Sequence, residues 1–139
     1  RVAFVEQGSV DRVSTLDLQS GAVTIEGEPD EYPVDVAIGD GALYYTTRST
    51  VWPYGGWLYK TEDGASTALS FSPPEMEWIV LDDTFAYWSS KESITRVSRE
   101  GGDYEIVAME TAVSDFVVHQ QALYWTDRQA GRVFRKQLP

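Results

Sequence analysis

Apolar and polar side chains alternate along this chain in runs of about six residues, each run closed by Gly, Asp, Ser or Pro, which is the mark of short half-buried strands. One group of runs reads Val34 to Ile38, Ala42 to Thr47, Trp57 to Thr61 and Thr67 to Phe71. The next reads Trp78 to Leu81, Thr84 to Ser89, Ile94 to Ser98 and Tyr104 to Met109. Between them, Gly39-Asp40-Gly41, Asp63-Gly64 and Glu100-Gly101-Gly102-Asp103 supply the positive φ that tight antiparallel hairpins require. No segment sustains a helical period, so the pattern predicts an all-β chain.

One phrase recurs within this pattern: Ala42-Leu-Tyr-Tyr-Thr-Thr47, Phe85-Ala-Tyr-Trp-Ser-Ser90 and Ala122-Leu-Tyr-Trp-Thr-Asp127. A weaker copy is Val2-Ala-Phe-Val-Glu6, with Ala3 in the place of Tyr44. The spacing is roughly 40 residues, the length of one four-stranded meander. It divides a single domain, 1–139, into repeats near 1–33, 34–74, 75–111 and 112–139. A meander with two apolar faces cannot bury both alone, so successive units must stack face to face. The pairs Tyr44-Tyr45, Tyr87-Trp88 and Tyr124-Trp125 then fall at equivalent places, where flat rings fill the wedge between neighbours.

The phrase Leu123-Tyr-Trp-Thr-Asp127, followed by Gly131-Arg-Val-Phe-Arg135, resembles the YWTD repeats of low-density-lipoprotein-receptor-type β-propellers and their bacterial relatives. The third copy departs from it, reading Tyr87-Trp88-Ser89-Ser90 before Ile94-Thr-Arg-Val97 and Gly101-Gly102, and the others end in Thr47 or Glu6. The resemblance implies about four propeller blades whose motif residues are structural. It also implies hydrogen bonding between blades by the motif Asp, which only Asp127 supplies.

Counted along the chain, the expected blades hold three, four, four and three strands, the first beginning at its second strand and the last stopping after its third. Propellers of this kind usually have about six blades. Open end faces and unpaired edges demand cover. A compact four-bladed ring, a ring of two or more copies, and a place within a longer propeller are the three solutions, the last two being favoured by incomplete terminal blades.

Composition narrows the function. The chain is 42% hydrophobic and 13% aromatic, with five Trp and eight Tyr, which excludes disorder. Twenty-two acidic residues against eleven basic ones give a net charge of -11, a field that repels phosphate backbones, so no nucleic-acid partner is expected. With no cysteine there are no disulfides, thiolate metal sites or thiol catalysis. No run approaches the ~18 apolar residues of a membrane helix, so no membrane insertion is expected. A start at Arg1 rather than Met suggests a processed, trimmed or excised segment, with an extracellular or cell-envelope origin as the expectation.

In a four-stranded blade the loops after the second and fourth strands share one face of the disc. The loop Arg48-Ser-Thr-Val-Trp-Pro-Tyr-Gly-Gly56 is longer than its counterparts Lys91-Glu-Ser93 and Arg128-Gln-Ala-Gly131. It carries Trp52 and Tyr54, either as exposed rings suited to binding or, for Trp52, as a lid on its own blade. Acidic loops after fourth strands contribute Glu28, Asp30, Glu31, Glu75, Glu77 and Glu110 to the same face. The binding set read from sequence is therefore Trp52, Tyr54, Arg48, Glu31, Glu75 and Glu77, with a protein, peptide or glycan as partner alongside further blades or further copies. Carboxylate spacing matches no calcium loop, and neither metal nor cofactor is expected.

Catalysis lacks material. His119 is the only imidazole, no Gly-x-Ser-x-Gly elbow occurs, and the chain contains no Asn. A lyase or hydrolase would have to draw on Asp35, Asp115 and His119 together with residues from blades outside the chain. A purely structural role in assembly is the third reading.

Overall fold

The computed structural model describes residues 1–139 apart from 28, 30, 52, 53, 73, 74, 110 and 111. Among the described residues there is no helix, and the strands form four separate antiparallel sheets. The first holds β1 (Val2–Glu6), β2 (Arg12–Leu16) and β3 (Val23–Gly27) in sequential order. The second holds β4 (Tyr32–Gly39), β5 (Ala42–Arg48), β6 (Gly56–Glu62) and β7 (Ala65–Ser72). The third holds β8 (Ile79–Leu81), β9 (Phe85–Ser89), β10 (Ser93–Ser98) and β11 (Glu105–Met109), and the fourth β12 (Val113–His119), β13 (Ala122–Asp127) and β14 (Arg132–Gln137). Three, four, four and three strands are what the alternation predicts.

Turn residues explain the meander. Asp40 and Gly41 have φ of 51° and 81°, and Asp63 and Gly64 have 50° and 78°, so both central positions are left-handed as a two-residue hairpin requires. Gln120 and Gln121 adopt the same conformation, φ 48° and 57°, without the glycine that makes it easy. In the third sheet Asp82 shapes the equivalent turn, its Oδ1 accepting from the amides of Thr84 at 2.8 Å and Phe85 at 2.7 Å.

The sheets stack in chain order, β4 lying against β1, β8 against β4 and β12 against β8. Three apolar clusters fill the three junctions. Val13 packs with Leu43 and Tyr45 between the first and second sheets. Tyr44, Leu58, Met76, Ile79, Trp88 and Val97 fill the next junction, and Tyr87, Ile94, Phe116, Leu123, Trp125 and Leu138 the third. Strand alternation thus sends the two members of each aromatic pair to opposite sides: Tyr44 and Tyr87 face the following sheet, Tyr45, Trp88 and Trp125 the preceding one.

Among the described residues Asp127 makes no inter-blade bond. Its Oδ1 accepts from the amides of Gln129 at 2.7 Å and Ala130 at 2.8 Å in its own turn, which satisfies the carboxylate locally. Asp35 ties sheets together instead, its Oδ2 accepting from the Ile79 amide at 2.9 Å. Arg99 of the third sheet reaches back to the second, donating to the Tyr44 hydroxyl at 3.1 Å and to Asp40 at 2.7 Å.

Candidate functional site

The loop after β5 is held by its own backbone. The Ser49 amide donates to Gly55 O at 2.9 Å, and Ser49 Oγ donates to Val51 O at the same distance. Where the chain re-enters the sheet, a Cβ on Gly56 would collide with the Thr47 carbonyl oxygen and press on Met76, so only glycine permits this close approach. From a loop closed this way Tyr54 and Val51 project outward, 62% and 69% exposed.

Arg48 ends β5 at the foot of this loop. Its Nε lies 3.5 Å from Glu75 Oε2, and Lys91 Nζ lies 3.9 Å from the same oxygen, so Glu75 stands between a cation of the second sheet and one beside the third. These pairs are half-exposed and worth ~1 kcal/mol or less in water, but they fix where the charges sit. On its other side Arg48 helps to line a groove of about 330 Å³ with Gln7, Tyr32, Val34 and Thr50. Tyr32 is the cross-strand partner of Arg48 and is 48% exposed. Gln7 Nε2 donates to Pro33 O at 2.9 Å and joins the first sheet to this wall.

Of the residues read from sequence, Arg48 and Glu75 meet, and Tyr54 projects from the adjoining loop. Glu31 is committed inward, accepting from Thr47 Oγ1 at 2.7 Å. Glu77 is anchored through its backbone, the amide donating to Ser89 O at 2.8 Å and the carbonyl accepting from Thr46 Oγ1 at 3.2 Å. Trp52, with Glu28, Asp30 and Glu110, lies outside the described residues. Sequence reasoning passed over Tyr32, Val51, Gln7 and Lys91. Tyr32 stood inside the acidic loop already singled out, but its place beside Arg48 depends on a register shift between Pro33 and Asp35 that has no sequence mark.

The residues weighed for catalysis do not gather. Asp35 is bound to the Ile79 amide, Asp115 accepts from the Phe116 amide at 2.8 Å, and His119 is exposed at the far end of β12. His119 lies four strand positions on from Asp115, roughly 13 Å. A larger groove of about 530 Å³ between the third and fourth sheets is lined in part by Asp82, Tyr87, Arg96 and His119. Tyr87 there is a structural hydroxyl: burial, with its O–H donating to Asp82 Oδ2 at 2.7 Å, pushes its pKa up to about 12. Among the described residues no three His, Cys, Asp or Glu side chains are grouped as a metal ion would need.

Four antiparallel meanders stacked on their faces, with β1, β4, β8 and β12 in succession, define this chain as a β-propeller-class assembly of blades. No family model matches it, and no curated protein sequence does. Solved structures do. Over 97% of its length the chain is similar to a chain of the nidogen/laminin complex, with a TM-score of 0.74 at 16% identity. Over 94% it is similar to the computationally designed Ika4 protein, at 0.69 and 8%, and over 97% to the computationally designed Ika8 protein, at 0.65 and 8%. It spans 56% of the first of those chains, 84% of the second and 48% of the third. At such identities the likeness is one of fold.

Proposed function

We propose that this chain is a non-catalytic binding module that takes a protein or peptide through the loop face formed by Arg48, Thr50, Val51, Tyr54 and Tyr32. The observation that carries this reading is exposed apolar side chains beside a groove whose floor is polar and positioned. Tyr32, Val51 and Tyr54 offer contact area that costs little entropy to order, and Arg48 with Glu75 and Lys91 offers directional charge. Trp52 belongs to the proposal on sequence grounds. Glu31 and Glu77 enter it as support for the loops more than as contacts. A glycan is the other ligand class such rings would suit.

The likeness to a chain of the nidogen/laminin complex supports a protein ligand over a small molecule, and the phrase Tyr124-Trp125-Thr126-Asp127 supports kinship with the YWTD repeats. An extracellular or cell-envelope setting goes with the same proposal.

Selection of binders from a displayed peptide library against the folded chain tests it. Tyr54→Ala and Tyr32→Ala should each weaken the selected peptides at least tenfold and leave the melting temperature within about 2 °C, since neither ring is in the core. If the variants melt early instead, or if selected peptides bind them unchanged, the loop face is not the binding surface.

A further inference from the structure

With Tyr44, Tyr87 and Tyr124 in register, the repeats put Asp35, Trp78 and Asp115 in one place, each nine residues earlier. Each stands across from an equivalent hydroxyl residue. Asp35 pairs with Thr46 and Asp115 with Thr126. Trp78 is fixed to Ser89, its carbonyl accepting from the Ser89 amide at 3.0 Å and its amide donating to Ser89 Oγ at 3.2 Å. The residue after each position, Val36, Ile79 or Phe116, packs toward the preceding sheet. Strand alternation therefore directs Asp35, Trp78 and Asp115 toward the following one.

Asp35 uses that direction to tie two sheets, its Oδ2 accepting from the Ile79 amide at 2.9 Å. The same step from Trp78 leads to the Phe116 amide. An indole brings no acceptor, and Asp115 Oδ1 takes that amide from within its own strand at 2.8 Å. At this junction the position that carries a tie one sheet earlier has been given to a tryptophan.

The ring is not spent on packing. Trp78 has sheets on both sides and is still 46% exposed, and it belongs to none of the three apolar clusters. Among the described residues it meets no other ring, and its indole N–H has no partner. Asp35 sits on the amide that follows Trp78, and Asp115 on the amide toward which Trp78 is directed. Among the described residues neither carboxylate is in an ion pair.

We propose that Trp78, between Asp35 and Asp115, is a subsite for a cationic side chain, arginine or lysine, of the bound peptide. Indole is the aromatic face that attracts a cation most strongly, and carboxylates on either side accept its N–H groups. The net charge of -11 favours the approach of such a group. The subsite rests on the loop-face reading for its place, since Trp78 follows Glu75 by three residues, but it has its own readout.

Titration of the isotope-labelled chain with the capped peptide Gly-Ser-Arg-Ser-Gly, and with its citrulline counterpart of like shape and no charge, tests this through the amide resonances of Ile79 and Phe116. Both resonances should shift to saturation, and the arginine peptide should bind at least about fivefold more tightly. Trp78→Ala and Asp115→Asn should each remove most of that preference and leave the melting temperature within about 2 °C. If Trp78→Ala melts early, Trp78→Leu removes the ring and keeps apolar bulk. Equal binding of the two peptides, or a preference that survives loss of the ring, overturns the subsite. The two readings fail separately. Library-selected peptides indifferent to Tyr32→Ala and Tyr54→Ala, with the arginine peptide still shifting Ile79 and Phe116, end the loop-face reading and uphold the subsite; selected peptides held by those tyrosines, with no response to the arginine peptide, do the reverse.

Discussion

The junction between the second and third sheets and the one between the first and second are built on the same alternation, yet they differ in weight. The former buries Trp88 and Tyr44 to 1% exposure or less, with Leu58, Met76, Ile79 and Val97 around them. Polar ties cross it at Asp35, Thr46 and Arg99. The latter sets Ala3, Val5 and Val13 against Leu43 and Tyr45, with Tyr45 stacked at 5.1 Å on Tyr59 of its own sheet instead of on a ring across the gap. Strand period decides which faces meet. Ring size at the aromatic pair, and side chains long enough to reach the next sheet, decide how firmly they hold.

The sharpest way to break this comparison is at the rings. Trp88→Ala should cost about 3–5 kcal/mol in denaturant unfolding, whereas Val13→Ala in the lighter junction should cost about 2. Trp88→Phe should cost far less than Trp88→Ala. Among the described residues the buried Trp88 indole N–H has no hydrogen-bond partner, so a ring without that donor keeps most of the packing and removes an unpaired group. Equal losses for Trp88→Ala and Val13→Ala would mean that the two junctions are equivalent after all.

The polar ties give a smaller, cleaner contrast. Asp35 and Asp115 hold the same place in their sheets, opposite Thr46 and Thr126 respectively, but among the described residues Asp35 accepts from an amide of the next sheet and Asp115 from the amide of its own neighbour Phe116. Asp35→Ala leaves the Ile79 amide unpaired in a partly buried site and should lower stability by about 1–3 kcal/mol. Asp115→Ala, on an exposed face, should stay within about 0.5 kcal/mol when measured in the same way. A large loss at Asp115 in dilute solution would show that its face is covered there.

Strand count, sheet order and the aromatic pairs were legible because a period of two and a recurring phrase survive in any context. Side-chain partners were not. Asp127 carries the motif letter, but the turn that follows it offers its carboxylate two amides, and sequence spacing is silent about that competition. Asp35 carries no motif and makes the tie, because the bulge after Pro33 turns it toward Ile79. At the candidate site the long loop announced Tyr54, while Tyr32 and Lys91 came to Arg48 and Glu75 only through register and stacking.

The smallest effect concerns the two hairpins that open the second and fourth sheets. Both place two successive residues at positive φ, Asp40-Gly41 in one and Gln120-Gln121 in the other. A glutamine there pays a steric cost that glycine does not, and nothing lies within 4 Å of the Cβ position at Gly41 to reward a side chain. Gln121→Gly should therefore stabilise the fourth sheet by about 0.5–1 kcal/mol, and Gly41→Gln should destabilise the second by a similar amount. Both are read from midpoints of urea unfolding at unchanged slope. If Gln121→Gly lowers stability, the hydrogen bonds that Gln121 O accepts from the Leu138 amide and the Gln137 side chain, both at 2.8 Å, need the stiffness of a non-glycine residue more than the turn needs its freedom.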